Sequence, residues 1–234
     1  MVEGVGMAKD SETANQELCQ TLGKRLGAWK TFVVQELPAG IREASVDSLA
    51  LTIPVACNDL KALARQARGA GRPLVVRNTA TWAGCAAIRL GAHLSYEHLA
   101  DDLLLVGLSK DAESVLPGMV EKMVQLATPP DKECHKILDE LPKFEAAWHS
   151  ASDTAQVVAT YLACHPRVTT VRYPGLKADP SFAIAARTLV GGFGPTVDYF
   201  CRTDERWHRV SYGAGVDPRE AVITLEQALE AMGS

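Results

Sequence analysis

The sequence predicts an α/β chain in which a mainly parallel sheet is followed by a small α+β domain. Two observations carry this. Short Val/Leu-rich runs alternate with helical patterns closed by glycine, and beyond residue 148 the order becomes strand, helix, two strands and a final helix. Residues 1–10 read as a loose start. In "SETANQELCQTLGKRLGAW", Leu18, Leu22 and Leu26 recur at helical spacing behind the candidate caps Ser11 and Thr13, so a first helix should end near Gly27. "KTFVVQEL" and "SLALTIPVA" are expected strands. "CNDLKALARQARGAG" is a helix opened by Asn58 or Asp59 and closed by glycines.

"RPLVV" is the third strand, "CAAIRLGAH" a short helix and "DDLLLVGLS" a further strand. From Glu113 to Leu162 the pattern is helical, with expected interruptions at "TPPDKE" and at Pro142. Its second half is long enough to bridge two domains, placed at 1–148 and 149–234. The second domain then reads as "VTTVRYPGL", a turn "KADPSF", a helix "AIAARTLVG", strands at "TVDYF" and "HRVSYG", and the helix "PREAVITLEQALEAM".

With 234 residues and 47% hydrophobic composition, the chain can bury one large core or two modest ones. A formal charge of -4 without a basic block or basic-aromatic interleaving argues against nucleic-acid binding. No apolar run approaches the length of a membrane span and no secretory h-region follows the N-terminus, which points to the cytoplasm. Six cysteines are scattered singly, without a CxxC pair. The dipeptides Cys134-His135 and Cys164-His165 aim their side chains at different helix faces, so no metal site is expected.

The run "RPLVVRNTATWAG" stops abruptly at Arg77, Asn78 and Thr79. In a parallel α/β sheet the crevice at the carboxyl ends of the strands is where ligands bind, so these three residues stand where chemistry is expected. Glu97, His93 and His98 cluster further on, but Glu97 and His98 face opposite ways on a strand, and packing roles are expected for them, as for Trp82.

Several separated motifs resemble one family. "HPRVTTVRYPGL", "GGFG" and "HRVSYGAGVDPREAVITLEQAL" are similar, in order and spacing, to the closing domain of the pyridoxal-phosphate enzymes of Cys/Met metabolism, the cystathionine synthases and lyases and methionine lyases. Residues 32–37 and 48–99 follow the course of the family's large domain, in which "VVDNT" precedes "LGAD". The resemblance, over roughly residues 15 to 230, implies a fold type I pyridoxal-phosphate transferase architecture. A partial large domain would lack the family's amino-terminal phosphate loop and be followed by the small C-terminal domain.

Three departures bear on activity. Arg77 replaces the family's aspartate, which keeps the pyridine nitrogen of the cofactor protonated. A guanidinium only donates hydrogen bonds and cannot do that. Asn78 and Thr79 are then a vestigial cofactor position. The Schiff-base lysine belongs to an "S-x-TKY--GH" segment after "LGAD", for which "GAHLSYEHLADD" leaves no room, and an ungapped register places Asp101 there. The alternative is that Lys110, in "LLLVGLSK", serves as the lysine, although Asp111 and Glu113 suggest an exposed helix start. Arg209 stands at the family's substrate-carboxylate arginine. With these departures the resemblance implies a pseudoenzyme, with pyridoxal phosphate as the family's cofactor and its loss as the alternative. It would bind an amino-acid-like or anionic ligand, or assemble as a dimer or with a full-length relative. A lyase or transferase using Lys110 is the alternative.

Overall fold

The computed structural model describes residues 16–81, 84–100, 103–127 and 132–232. They form two compact units, one of residues up to Ser48 with Asp59–Pro142, the other of Leu49–Asn58 with residues from Lys143 onward. Ser11, Thr13, Trp82 and Asp101 lie outside the described residues.

The first unit opens with helix α1 (16–26), whose Leu18, Leu22 and Leu26 are fully buried, as the i, i+4, i+8 spacing demands. Strand β1 (Lys30–Val34) pairs antiparallel with β7 (Leu103–Leu108), and β7 pairs antiparallel with β6 (Leu94–Ala100). Strands β6, β5 (Val75–Arg77) and β2 (Ser45–Asp47) run parallel, giving the order β1-β7-β6-β5-β2. Helix α2 (Leu60–Gly69) precedes β5 in sequence, and the Asp59 carboxylate accepts from the Ala62 amide at 3.0 Å as its N-cap.

A 3₁₀ turn (Ala87–Leu90) precedes β6, and helices α3 (Ala112–Val115) and α4 (Met119–Leu126) follow β7. Strand alternation divides the side chains between two faces. Val34, Val75, Leu94, Tyr96, Leu104, Val106 and Leu108 pack with Met119 and Met123 of α4. The opposite face carries Thr31, Ser95, Glu97 and Gly107. Helix α1 covers it: the Thr31 hydroxyl donates to the Cys19 carbonyl at 2.7 Å, and a Cβ on Gly107 would lie 3.1 Å from Leu26.

The expected strand "SLALTIPVA" is broken into two short strands. Beyond β2, strands β3 (Leu49–Ala50) and β4 (Ala56–Cys57) form a two-residue antiparallel ladder in the second unit. Pro54 offers no amide to a ladder, and residues 51–55 form the connecting loop. Helix α5 (Lys132–Ala163) also departs from expectation, because it continues through Pro142. A proline removes one helical hydrogen bond, but Ile137 and Leu141 before it and Ala151, Ala155, Val158 and Leu162 after it are all buried. Their packing outweighs the break.

In the second unit β8 (Val168–Arg172), β9 (Thr196–Cys201) and β10 (Arg206–Ser211) form an antiparallel sheet in the order β10-β9-β8. Its core joins Tyr173, Val197 and Tyr199 to α5 and to α7 (Pro218–Ala231), which Asp217 caps. Helix α6 (Phe182–Thr188) lies between β8 and β9 in sequence.

The "GGFG" motif sits directly on α5. The Ser152 hydroxyl accepts from the Gly194 amide at 3.1 Å, and a Cβ on Gly192, whose φ is +139°, would stand 2.4 Å from that hydroxyl. Gly192→Ala is therefore expected to cost about 2–4 kcal/mol, from left-handed strain and overpacking together. Chemical denaturation measures it, and an unchanged midpoint would show that α5 yields.

Candidate functional site

At the carboxyl end of β5 the sequence-predicted cluster separates into different roles. Arg77 is about half exposed, and its guanidinium meets Asp47 on the neighbouring strand through Nε–Oδ1 at 2.5 Å and Nη2–Oδ2 at 2.9 Å. β2 and β5 are parallel with Asp47 opposite Arg77, so the pair is a cross-strand fork, and its hydrogen bonds hold the Arg77 guanidinium above its ordinary pKa. Asn78 is fully buried. Its Nδ2 donates to the Cys85 carbonyl at 2.9 Å and its main-chain carbonyl accepts from Thr81, while Oδ1 has no hydrogen-bond partner. Thr79 is exposed. Thr81, which the sequence reading did not single out, is buried, and its hydroxyl meets that of Ser48 at 2.9 Å.

Lys110 is not brought to this cluster. It is exposed and follows β7, whose Leu108 pairs with Leu94, the first residue of β6. Lys110 therefore lies at the sheet end where the parallel strands begin. Arg77 and Asn78 lie where β5 finishes, roughly 16 Å away at about 3.3 Å per residue. A lysine side chain cannot bridge that distance, so strand direction sets Lys110 apart from Asn78 and Thr79.

Burial reveals a group that alternation alone did not. Glu97 on β6 is 1% exposed, and its carboxyl is pushed up to about 8 by burial, against the opposing pull of Arg25 on α1. On the same strand face the buried Ser95 hydroxyl has no hydrogen-bond partner. His98 faces the other way and is held below its ordinary value by partial burial and by the cations Arg42 and Arg77. His93 is buried, and its Nδ1 accepts from the Leu74 amide at 2.9 Å, leaving Nε2 to carry the proton toward Asp111 at 3.8 Å.

In the second unit, Arg209 is fully engaged in structure. Its Nε and Nη2 each meet the buried Asp198 carboxylate at 2.7 Å, and Nη1 and Nη2 also donate to the carbonyls of Leu51 and Thr52 at 2.6 and 2.9 Å. The fork that could hold a substrate carboxylate already holds Asp198, leaving one Nη1 hydrogen. Cys201, Asp204 and His208 bring three possible metal-ligand atoms together on the β9–β10 hairpin, within eight positions of sequence, a grouping that a search for cysteine pairs passes over. His208 and Asp204 satisfy one another there at 2.8 Å.

The sheet order and the small antiparallel domain define the class: this is the fold type I architecture of pyridoxal-phosphate-dependent enzymes. Similar solved structures include enzymes of Cys/Met metabolism. Apo methionine gamma lyase from Micromonospora echinospora matches with a TM-score of 0.71 and 17% identity, covering 93% of this chain and 85% of that one. Cystathionine gamma synthase from Xanthomonas oryzae pv. oryzae, solved with aminoacrylate and cysteine, gives 0.73 and 14%, covering 94% and 86%. In sequence, cystathionine gamma-synthase of Mycobacterium bovis and of Mycobacterium tuberculosis is 46% identical over 55 residues. That match spans 24% of this chain and 14% of the curated relatives. No family model matches.

The residues described at the strand ends do not fit the cofactor of that fold. A protonated pyridine nitrogen needs an anionic acceptor, and Arg77 offers only donors while both Asp47 oxygens are taken by Arg77. Asn78 points its amide inward at Cys85.

Proposed function

We propose that the chain is a relative of the Cys/Met-metabolism enzymes that does not perform transsulfuration. It keeps their scaffold for ligand binding or assembly, in the cytoplasm and as a dimer or beside a full-length relative. The Arg77–Asp47 fork carries this reading, because it puts a self-neutralised ion pair where the related chemistry needs an unshared carboxylate. The exposed position of Lys110 at the other sheet end supports it. No described helix is long and apolar enough to cross a membrane. The alternative, a lyase or transferase working through Lys110, would need that lysine desolvated beside a ring, which its exposure disfavours.

The test is to incubate the protein with pyridoxal phosphate, reduce with borohydride and map labelled lysines by mass spectrometry, with cystathionine turnover assayed in parallel. The expected result is no turnover and only scattered, substoichiometric labelling. A single stoichiometric label would overturn the proposal, and its disappearance in Lys110→Ala would select the alternative. Sedimentation velocity checks the dimer.

A further inference from the structure

A cleft of about 420 Å³ lies at the end of the first unit's sheet where the parallel strands begin, away from Arg77 and Asn78. Lys61, Arg65, Arg68 and Arg89 line it with Leu90 and Gly91. The first three stand at i, i+4 and i+7 on α2, so one helix face presents three cations, and Arg89 closes the cleft from the 3₁₀ turn. A second cleft, of about 430 Å³, shares Arg89 and adds Lys24. Among the described residues, no carboxylate lines either one. In a chain with 28 acidic and 24 basic residues, five cations facing two adjoining clefts without an acid is a concentration of charge that repels itself.

Two of the guanidiniums are held in place by the backbone. Arg68 Nε donates to the Ala64 carbonyl at 3.4 Å, and Arg89 Nη2 donates to the Lys24 carbonyl at 2.6 Å. Both lie over glycines that make room for them. A Cβ on Gly27 would stand 2.2 Å from Arg89 Cγ, and one on Gly91 would stand 3.2 Å from Arg68 Nη2. Asp111 is the neighbouring anion that feels Arg68, but Ser109 holds its carboxylate at 2.5 Å.

We infer that this cleft binds a small phosphorylated molecule. The volume falls in the range of small-ligand sites, and arginine forks match phosphate oxygens in pairs. Four cations suit a group of charge two or more better than a single carboxylate. This site is independent of the reading proposed above, since it uses none of the residues at the strand ends.

The experiment is calorimetric titration of the full chain with inorganic pyrophosphate and with orthophosphate, at low and at physiological salt. One saturable site is expected, tighter for pyrophosphate and weakened by salt. The exposed pair Lys61→Gln/Arg65→Gln should lose about tenfold or more in affinity, as charge-assisted hydrogen bonds imply. Arg206→Gln, on the other unit, should lose nothing, and melting curves confirm that all three proteins are folded. Absence of saturation overturns the inference, as does an equal loss in Arg206→Gln. So does binding of a short oligonucleotide where pyrophosphate fails, which would assign the cations to nucleic acid.

Discussion

Replacing Glu97 with glutamine is expected to raise the stability of the protein strongly at pH 8 and above while leaving it almost unchanged near pH 5. The side chain is buried in β6 beneath α1, and burial lifts its carboxyl from 4.5 to about 8. The folded state therefore holds the proton more tightly than the unfolded chain does. The stability linked to this proton is fully present below the ordinary value of 4.5 and is lost as pH rises from there through about 8. Glutamine imitates the protonated carboxyl in shape and has no charge to bury, so the variant escapes that loss.

The difference between the two proteins should grow with pH and level off above about 8, at about 3–5 kcal/mol. Urea denaturation of both proteins at intervals from pH 5 to 9 measures it. Parallel curves would mean that Glu97 is ionised in the fold and that Arg25 neutralises it more completely than its burial suggests. The position also bears on function, because Asn78 Oδ1 and Ser95 Oγ are buried without hydrogen-bond partners near it on the sheet. Strand β6, which keeps Ser95 and Glu97 buried on one face, sacrifices stability that valine or leucine would have supplied.

How much of this was visible in the sequence depends on how local each cause is. The leucine spacing of α1, the Asp59 cap and the Asp217-Pro218 start of α7 are decided within a few residues, and the sequence patterns locate them directly. The separated "YPGL", "GGFG" and "LEQAL" motifs likewise pointed to the architecture. The site was less legible, because its residues are satisfied across long sequence distances. Arg77 is visible as a cation in an acidic position, but Asp47, thirty positions earlier, is what occupies it. Which end of the sheet Lys110 occupies depends on strand direction, and direction is a property of the whole sheet. Pro142 misled for the opposite reason: the local rule against proline was outvoted by burial on both sides of it.

Asp198→Ala is expected to be among the most damaging single substitutions in the second unit, at about 3–5 kcal/mol. The Asp198 carboxylate is completely buried, takes both arms of the Arg209 fork, and accepts from the Val55 amide at 2.6 Å. It thereby ties the 51–55 loop to β9 and β10 at three points, since Arg209 also donates to Leu51 and Thr52. Removing it strands a guanidinium and an amide together. Arg209→Met should cost a similar amount by leaving the carboxylate buried and unpaired, whereas Asp198→Ala with Arg209→Met should cost far less than the sum, because no charge is orphaned. Denaturation midpoints of the four proteins give the coupling, and amide exchange at Val55 should accelerate in each single variant. The same cycle decides what Arg209 is for. If its first duty were to a ligand carboxylate, Arg209→Met would lose ligand with little change in stability, and the two substitutions would add.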